Sequence, residues 1–357
     1  MAEHANARAA IAEAAVHERF VRHLPGIAWG RSAWPPRSPA HPGTGGGAAW
    51  HYWWSAFLLD AAVDAARHRP SVRRRLLPRA LARGIRVRNG GIARRPFWDD
   101  LAWLALAVER AGRASAPARV PRRIAARLAA AVDPAIGLVP WQVGSDLFNA
   151  PANAPAALLL VRVGRVAEAA ALAERLSRTL RDPDTGLLWD GVERSEGAPS
   201  VVRDLYTYSQ GVAAAADAEL YRATGDTRIL DRAAALIDAL ATWTGPDGVL
   251  PGRGGGDGGL FAGIAVRHLA HAARALADAA ASGAGGTTAA AAAASARRLV
   301  AHNADAVWAG RDLSLGAPLF SADARRAADP AEGAAERDLS VQLGAWLTLE
   351  AAASAPA

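Results

Sequence analysis

Twelve stretches of helical periodicity, with no strand pattern to compete, constrain this chain more than any other feature. They lie near residues 5–22, 52–68, 72–83, 98–112, 119–132, 153–163, 165–180, 208–223, 226–243, 259–281, 290–309 and 338–354, separated by Gly- and Pro-rich breaks. About a quarter of the 357 residues are Ala, the strongest helix former. Only Leu187–Trp189 and Val249–Leu250 have the residues for short hairpin pieces. The expectation is an all-α chain with its helices in pairs. Nothing marks a domain linker, so residues 1–357 read as one domain, with 1–50 forming an N-terminal helix followed by a Gly/Pro/Trp-rich loop.

The connections are of two kinds. Thr224-Gly225-Asp226 merely turns one helix into the next, whereas 24–51, 84–98, 133–152, 182–207 and 244–258 are long and rich in Gly, Pro, Trp and polar residues. Long ordered loops on a helical scaffold are where binding residues usually sit. The segment 282–288 is low-complexity sequence between two Ala-rich helices and carries no such signal.

Composition removes whole classes of chemistry. All 41 basic residues are Arg, so a lysine Schiff base and a P-loop lysine are excluded. The absence of Cys excludes disulfides, thiolate nucleophiles and Cys-ligated metal. The first twenty residues contain Glu3, Glu13 and Glu18 and no secretory apolar core, and no window of about 18 apolar residues could span a membrane; a cytoplasmic location is expected. The formal charge of +7 is local: residues 67–95 hold 11 Arg and no acid, leaving 30 Arg against 34 acids elsewhere. That stretch has no aromatic residue to stack on bases, so nucleic acid is not the expected partner. A solvated surface and a docking site for an anionic partner, such as a phospholipid-linked glycan, are the two readings of it.

The strongest candidate for chemistry is Asp99-Asp100, which follows an Arg- and Gly-rich loop and opens an apolar helix with Trp98 and Trp103 on either side. One carboxylate suffices to cap a helix start. Two close carboxylates push each other's pKa apart and can yield an acid and a carboxylate from one residue type, the division of labour glycoside hydrolysis requires. Sugar-binding residue types recur on the long loops: Trp53 and Trp54, Trp141 and Gln142, Asn149 and Asn153, Trp189 and Asp190, then Tyr206, Tyr208 and Gln210. Planar rings stack on sugar C–H faces, while Asp, Asn and Gln bind paired hydroxyls. Residues 254–259 satisfy the dinucleotide pattern G-x-G-x-x-G, but no strand precedes them; they read instead as a loop that brings backbone close to a ligand with Asp257 pointing inward. His268 and His271 lack a nearby acid ligand and read as core or surface.

Together these motifs resemble glycoside hydrolase family 76, the α-1,6-mannanases. The resemblance runs from about Tyr52 to Glu350 and is carried, in order, by Asp99-Asp100 with Leu-Ala-Trp103, Asn149-Ala-Pro-Ala-Asn153, Thr185-Gly-Leu-Leu-Trp-Asp190-Gly191, Tyr206-Thr-Tyr-Ser-Gln210-Gly211, Gly256-Asp257-Gly-Gly-Leu-Phe261 and Asp338-Leu-Ser-Val-Gln342. It implies an (α/α)6 barrel and retaining, endo-acting hydrolysis of α-1,6-mannosidic bonds in mannan or mannooligosaccharide, without cofactor or metal. Asp99 would be the nucleophile and Asp100 the acid/base; Asp190, Tyr208 and Gln210 would hold the sugar, with Trp103, Trp141 and Trp189 as walls. Ser209 stands where the family motif often has Asn. Two other readings remain: a different sugar chemistry on the same barrel, such as epimerisation, and a non-catalytic glycan or glycolipid binder.

Overall fold

The computed structural model describes residues 2–35, 51–92, 96–112, 115–196, 198–283, 285–330 and 335–354. Its helices are α1 (Ala2–Phe20), α2 (Tyr52–His68), α3 (Val72–Arg88), α4 (Trp98–Ala111), α5 (Arg119–Ala130), α6 (Ala150–Arg162), α7 (Val166–Leu180), α8 (Thr207–Thr224), α9 (Thr227–Thr244), α10 (Gly258–Ala281), α11 (Gly286–Ala309) and α12 (Leu339–Ala353). Each matches one of the twelve stretches read from periodicity. The even-numbered helices touch in sequence, α2 to α4, α6, α8, α10 and α12, and α12 returns to α2; this closed inner ring runs in one direction. The outer helices α3, α5, α7, α9 and α11 pack on α2, α4, α6, α8 and α10, and α1 packs on α12. The fold is an (α/α)6 barrel.

Side-chain pattern decides which helix goes where. α12 is buried continuously from Leu339 to Ala351 and α8 from Thr207 to Tyr221, as expected of helices enclosed on every side. α7 buries only Ala169, Leu172, Ala173, Leu176 and Leu180, a single stripe at helical spacing, and therefore lies outside. Inside the ring, Asp60 and Asp64 of α2 pair with Arg110 of α4 and with Arg267 of α10, the last reaching Asp60 at 2.7 Å and Asp64 at 3.4 Å. Removing one partner from such a buried cluster strands a charge.

Two local departures from the sequence reading have physical causes. The first helix stops at Phe20, and Val21 and Arg22, expected to end it, instead open an antiparallel hairpin, β1 (Val21–Leu24) with β2 (Ile27–Gly30), in register Val21↔Gly30 to Leu24↔Ile27. α3 continues past Arg83 because Gly84 is a contact and no terminator: a Cβ there would sit 1.9 Å from the Ala28 carbonyl oxygen, so only glycine lets β2 lie against the helix. A second sheet, β3 (Leu147–Asn149), β4 (Gly191–Glu193) and β5 (Ser200–Val202), is antiparallel and joins two of the long loops. Leu188 forms only an isolated bridge with Arg181. Residues 36–50 of the expected N-terminal loop lie outside the described residues.

Candidate active site

The N-terminal ends of the inner helices converge on a cavity of about 400 Å³. Asp99 and Asp100 occupy the first turn of α4, whose N-cap residue, Phe97, offers no side-chain acceptor. Asp99 supplies one itself: its Oδ1 accepts the backbone N–H of Asp100 at 2.8 Å. Its Oδ2 accepts the indole N–H of Trp141 at 3.2 Å. Trp141 is held there by backbone pairing, since Trp98 N–H donates to the Trp141 carbonyl (3.0 Å), Val143 N–H donates to the Pro96 carbonyl (2.9 Å), and Phe97 bridges Gln142. The expected contribution of Gln142 is thus made through its backbone; its side chain does not line the cavity.

Burial pushes the Asp99 carboxyl up to about 6, against the pull of its hydrogen-bond donors and with a further push from Asp257. Asp190 lines the same cavity and is also raised to about 6, by burial, Asp204 and Asp99. Its position is fixed by backbone bonds: its N–H donates to the Asp204 carbonyl (2.7 Å), and its carbonyl accepts from Ala150 (2.6 Å). Asp257 completes the acidic lining and orients two indoles, its Oδ1 accepting from Trp53 at 3.0 Å and Trp54 at 2.9 Å.

The aromatic wall is continuous. Trp53 and Trp103 line it, as do Tyr206, Tyr208 and Phe261. Tyr208 stacks on Phe261 with centroids 4.3 Å apart, and burial, then Asp99, raises its phenol well above 10. Asn149 lines the cavity too and caps α6 through its Oδ1 and Ala152 N–H (3.2 Å). Phe97, Leu147 and Pro151 also line it and were not anticipated; Phe97 lies two residues before Asp99, the one sequence signal that could have found it.

Five other expected contacts are placed elsewhere. Trp54 is buried beneath His51, its ring stacked at 3.9 Å, and serves Asp257 instead of a sugar. Trp98 packs under Arg127 of α5, and Trp189 under Arg203. Asn153 and Gln210 are fully buried and clamp loop backbone. Asn153 bonds Val139 N–H and carbonyl, both at 2.8 Å, and Gln210 bonds Leu188 N–H (2.8 Å) and carbonyl (2.7 Å). Gln342 repeats the device on Phe320 at 3.1 and 2.9 Å, so it belongs to the barrel architecture. Ser209 is likewise buried and outside the cavity. In the glycine run that leads into α10, Gly255, Gly258 and Gly259 lie close against protein, a Cβ on Gly259 meeting Ser340 Oγ at 2.6 Å, whereas Gly254 and Gly256 face open space.

Comparison with known proteins now identifies the lineage. The family model described as glycosyl hydrolase family 76 matches residues 7–313. The chain belongs to glycosyl hydrolase family 76. It is a glycoside hydrolase. It is similar in structure to an α-1,6-mannanase from Salegentibacter sp. HEL1_6, with a TM-score of 0.81, 24% identity and coverage of 98% of this chain and 99% of that one. An inactive variant of that mannanase, changed at two consecutive aspartates, has been solved with α-1,6-mannotriose bound. The Lin0763 protein of Listeria innocua (TM-score 0.79, 22% identity, coverage 98% and 97%) and a family 76 mannosidase of Bacteroides thetaiotaomicron (0.73, 17%, 98% and 97%) have the same fold. No curated protein matches.

Three outcomes follow from the geometry. A carboxyl raised to about 6 favours folding when protonated, and that contribution is lost as pH rises from about 4 through about 6; Asp99→Asn therefore gains stability over the wild type on the order of 1–3 kcal/mol above that window and none below it, measured by denaturant melts across pH. The same ionisation makes the wild-type kcat/KM fall as pH drops below about 6, and the limb persists in Asp190→Asn. Gln210→Ala leaves two buried backbone groups of Leu188 unpaired and lowers unfolding free energy by about 2–4 kcal/mol; unchanged stability with weakened substrate binding would return Gln210 to the sugar.

Proposed function

We propose that the enzyme cleaves α-1,6-mannosidic bonds within mannan or mannooligosaccharides by a two-aspartate double displacement that retains anomeric configuration. The observation that carries this reading is the adjacent carboxylates of Asp99 and Asp100 opening on one aromatic-walled cavity. Asp99 has the setting of a nucleophile: two N–H donors fix both of its oxygens and favour its ionised form, and above about pH 6 it attacks the anomeric carbon to give a mannosyl-enzyme. Asp100 protonates the departing oxygen and then takes a proton from the water that releases the sugar. Asp190 sits across the same cavity, placed to bind sugar hydroxyls, and the Tyr208–Phe261 stack and Trp103 offer apolar faces to the ring.

Two further facts support the substrate. The similar Salegentibacter enzyme is an α-1,6-mannanase, and its aspartate variants hold α-1,6-mannotriose and α-1,6-mannotetrose, which agrees with internal cutting of a chain. Epimerisation loses its support, because no histidine lines the cavity among the described residues; His268 is buried with Nδ1 at 2.9 Å from the Ile264 carbonyl.

Asp99→Asn and Asp100→Asn should each lower kcat on α-1,6-mannotetraose by roughly 10²–10⁴ while far-UV circular dichroism stays that of the wild type. Turnover that survives both substitutions, or that is absent from the wild type on every α-1,6-mannoside, contradicts the proposal.

A further inference from the structure

The Arg-rich stretch takes no part in the cavity, and its structure gives it a defined surface. α3 packs on α2 and β2 through Leu77, Leu81, Ala82 and Ile85. Its outward face carries Arg75, Arg79, Arg83 and Arg86 together with Val72, Leu76 and Val87, which at 100° per residue fall within an arc of about 120°. Val72, Leu76 and Val87 are 69, 52 and 63% exposed, and Leu24, in the adjoining hairpin, is 60% exposed. These are four of the nine large hydrophobic side chains exposed among the described residues, gathered on one helix and its neighbouring turn. Arg83 links the two elements by donating to the Gly26 carbonyl at 3.4 Å.

The cations on this face have no acidic partner among the described residues. Arg69 and Arg74, at the start of the stretch, pair with Glu13, and Arg69 also with Glu350. Arg75, Arg79, Arg83 and Arg86 make no ion pair among the described residues. A solvated face explains charges but not aliphatic side chains held in water between them. A basic helix whose exposed face mixes arginines with aliphatic residues matches the charge and the apolar boundary of an anionic bilayer surface. Nucleic acid fits less well, since the exposed hydrophobics are aliphatic and offer no stacking platform.

We propose that the outward face of α3, with the tip of the β1–β2 hairpin, docks on an anionic lipid bilayer. The arginines meet lipid phosphates, and Leu24, Val72, Leu76 and Val87 enter the headgroup boundary.

The test is co-sedimentation of the full chain with vesicles of phosphatidylcholine alone and of phosphatidylcholine with phosphatidylglycerol, at low and high salt. Binding is expected only to the anionic vesicles and is expected to weaken with salt. Arg75→Gln/Arg79→Gln/Arg86→Gln should weaken it by about 100-fold. Val72→Ser/Leu76→Ser should weaken it several-fold without changing the salt dependence. Both variants should keep wild-type turnover of soluble mannooligosaccharides, a measurement that reports on the catalytic proposal independently. Equal binding to neutral vesicles, no binding to anionic ones, wild-type binding by the arginine variant, or preference for a homopolymer RNA over the anionic vesicles would each overturn the assignment.

Discussion

Six inner helices that all run the same way place six partially positive ends at one mouth of the barrel and six partially negative ends at the other. The distribution of charge follows that constraint. Asp99, Asp100, Asp190 and Asp257 gather at the N-terminal mouth, where helix ends favour carboxylates. At the opposite mouth Arg67, Arg110, Arg162, Arg222 and Arg274 line a hollow, alongside Glu109 and Glu219. Burial, then the charge of Arg110, brings Arg162 down to about 10, and Glu219 is shared among Arg222, Arg162 and His271. The arginines of this end complement helix C-termini. On the α3 face only Arg86 sits in a last helical turn; Arg75, Arg79 and Arg83 lie along the body of the helix.

At the N-terminal mouth two effects oppose each other on one residue. The donors to Asp99 favour a carboxylate, and burial, aided by the charge of Asp257, favours a neutral carboxyl. Burial prevails by enough to bring its titration to about 6, leaving it ionised at neutral pH but easily protonated below it. A buried carboxylate with two fixed oxygens is costly to fold, and under the proposed mechanism that cost is exchanged for reactivity.

The helices were legible because Ala-rich segments with Gly and Pro at their ends can form little else, and the acid pair was legible because a helix start needs only one carboxylate. The hairpin at 21–30 was not: its residues do not alternate, and its place depends on Gly84 of a helix far along the chain. Periodicity alone ends α3 near Arg83, because a glycine required for contact and one that ends a helix look alike in sequence. The buried amides misled for a similar reason. Asn153 and Gln210 have the residue type of a sugar contact, and only the fold reveals that their donors and acceptors are already occupied by Val139 and Leu188. Trp54 shows the same ambiguity, one of two neighbouring indoles that share Asp257 while only Trp53 faces the cavity.

The proposed mechanism turns on Asp99 forming a covalent mannosyl-enzyme. The anomer of the first product distinguishes this from direct attack by water, and ¹H NMR of α-1,6-mannotetraose cleavage in its first minutes reads it. Initial release of the α-anomer, followed by slow mutarotation, is the predicted result; initial release of the β-anomer would contradict it.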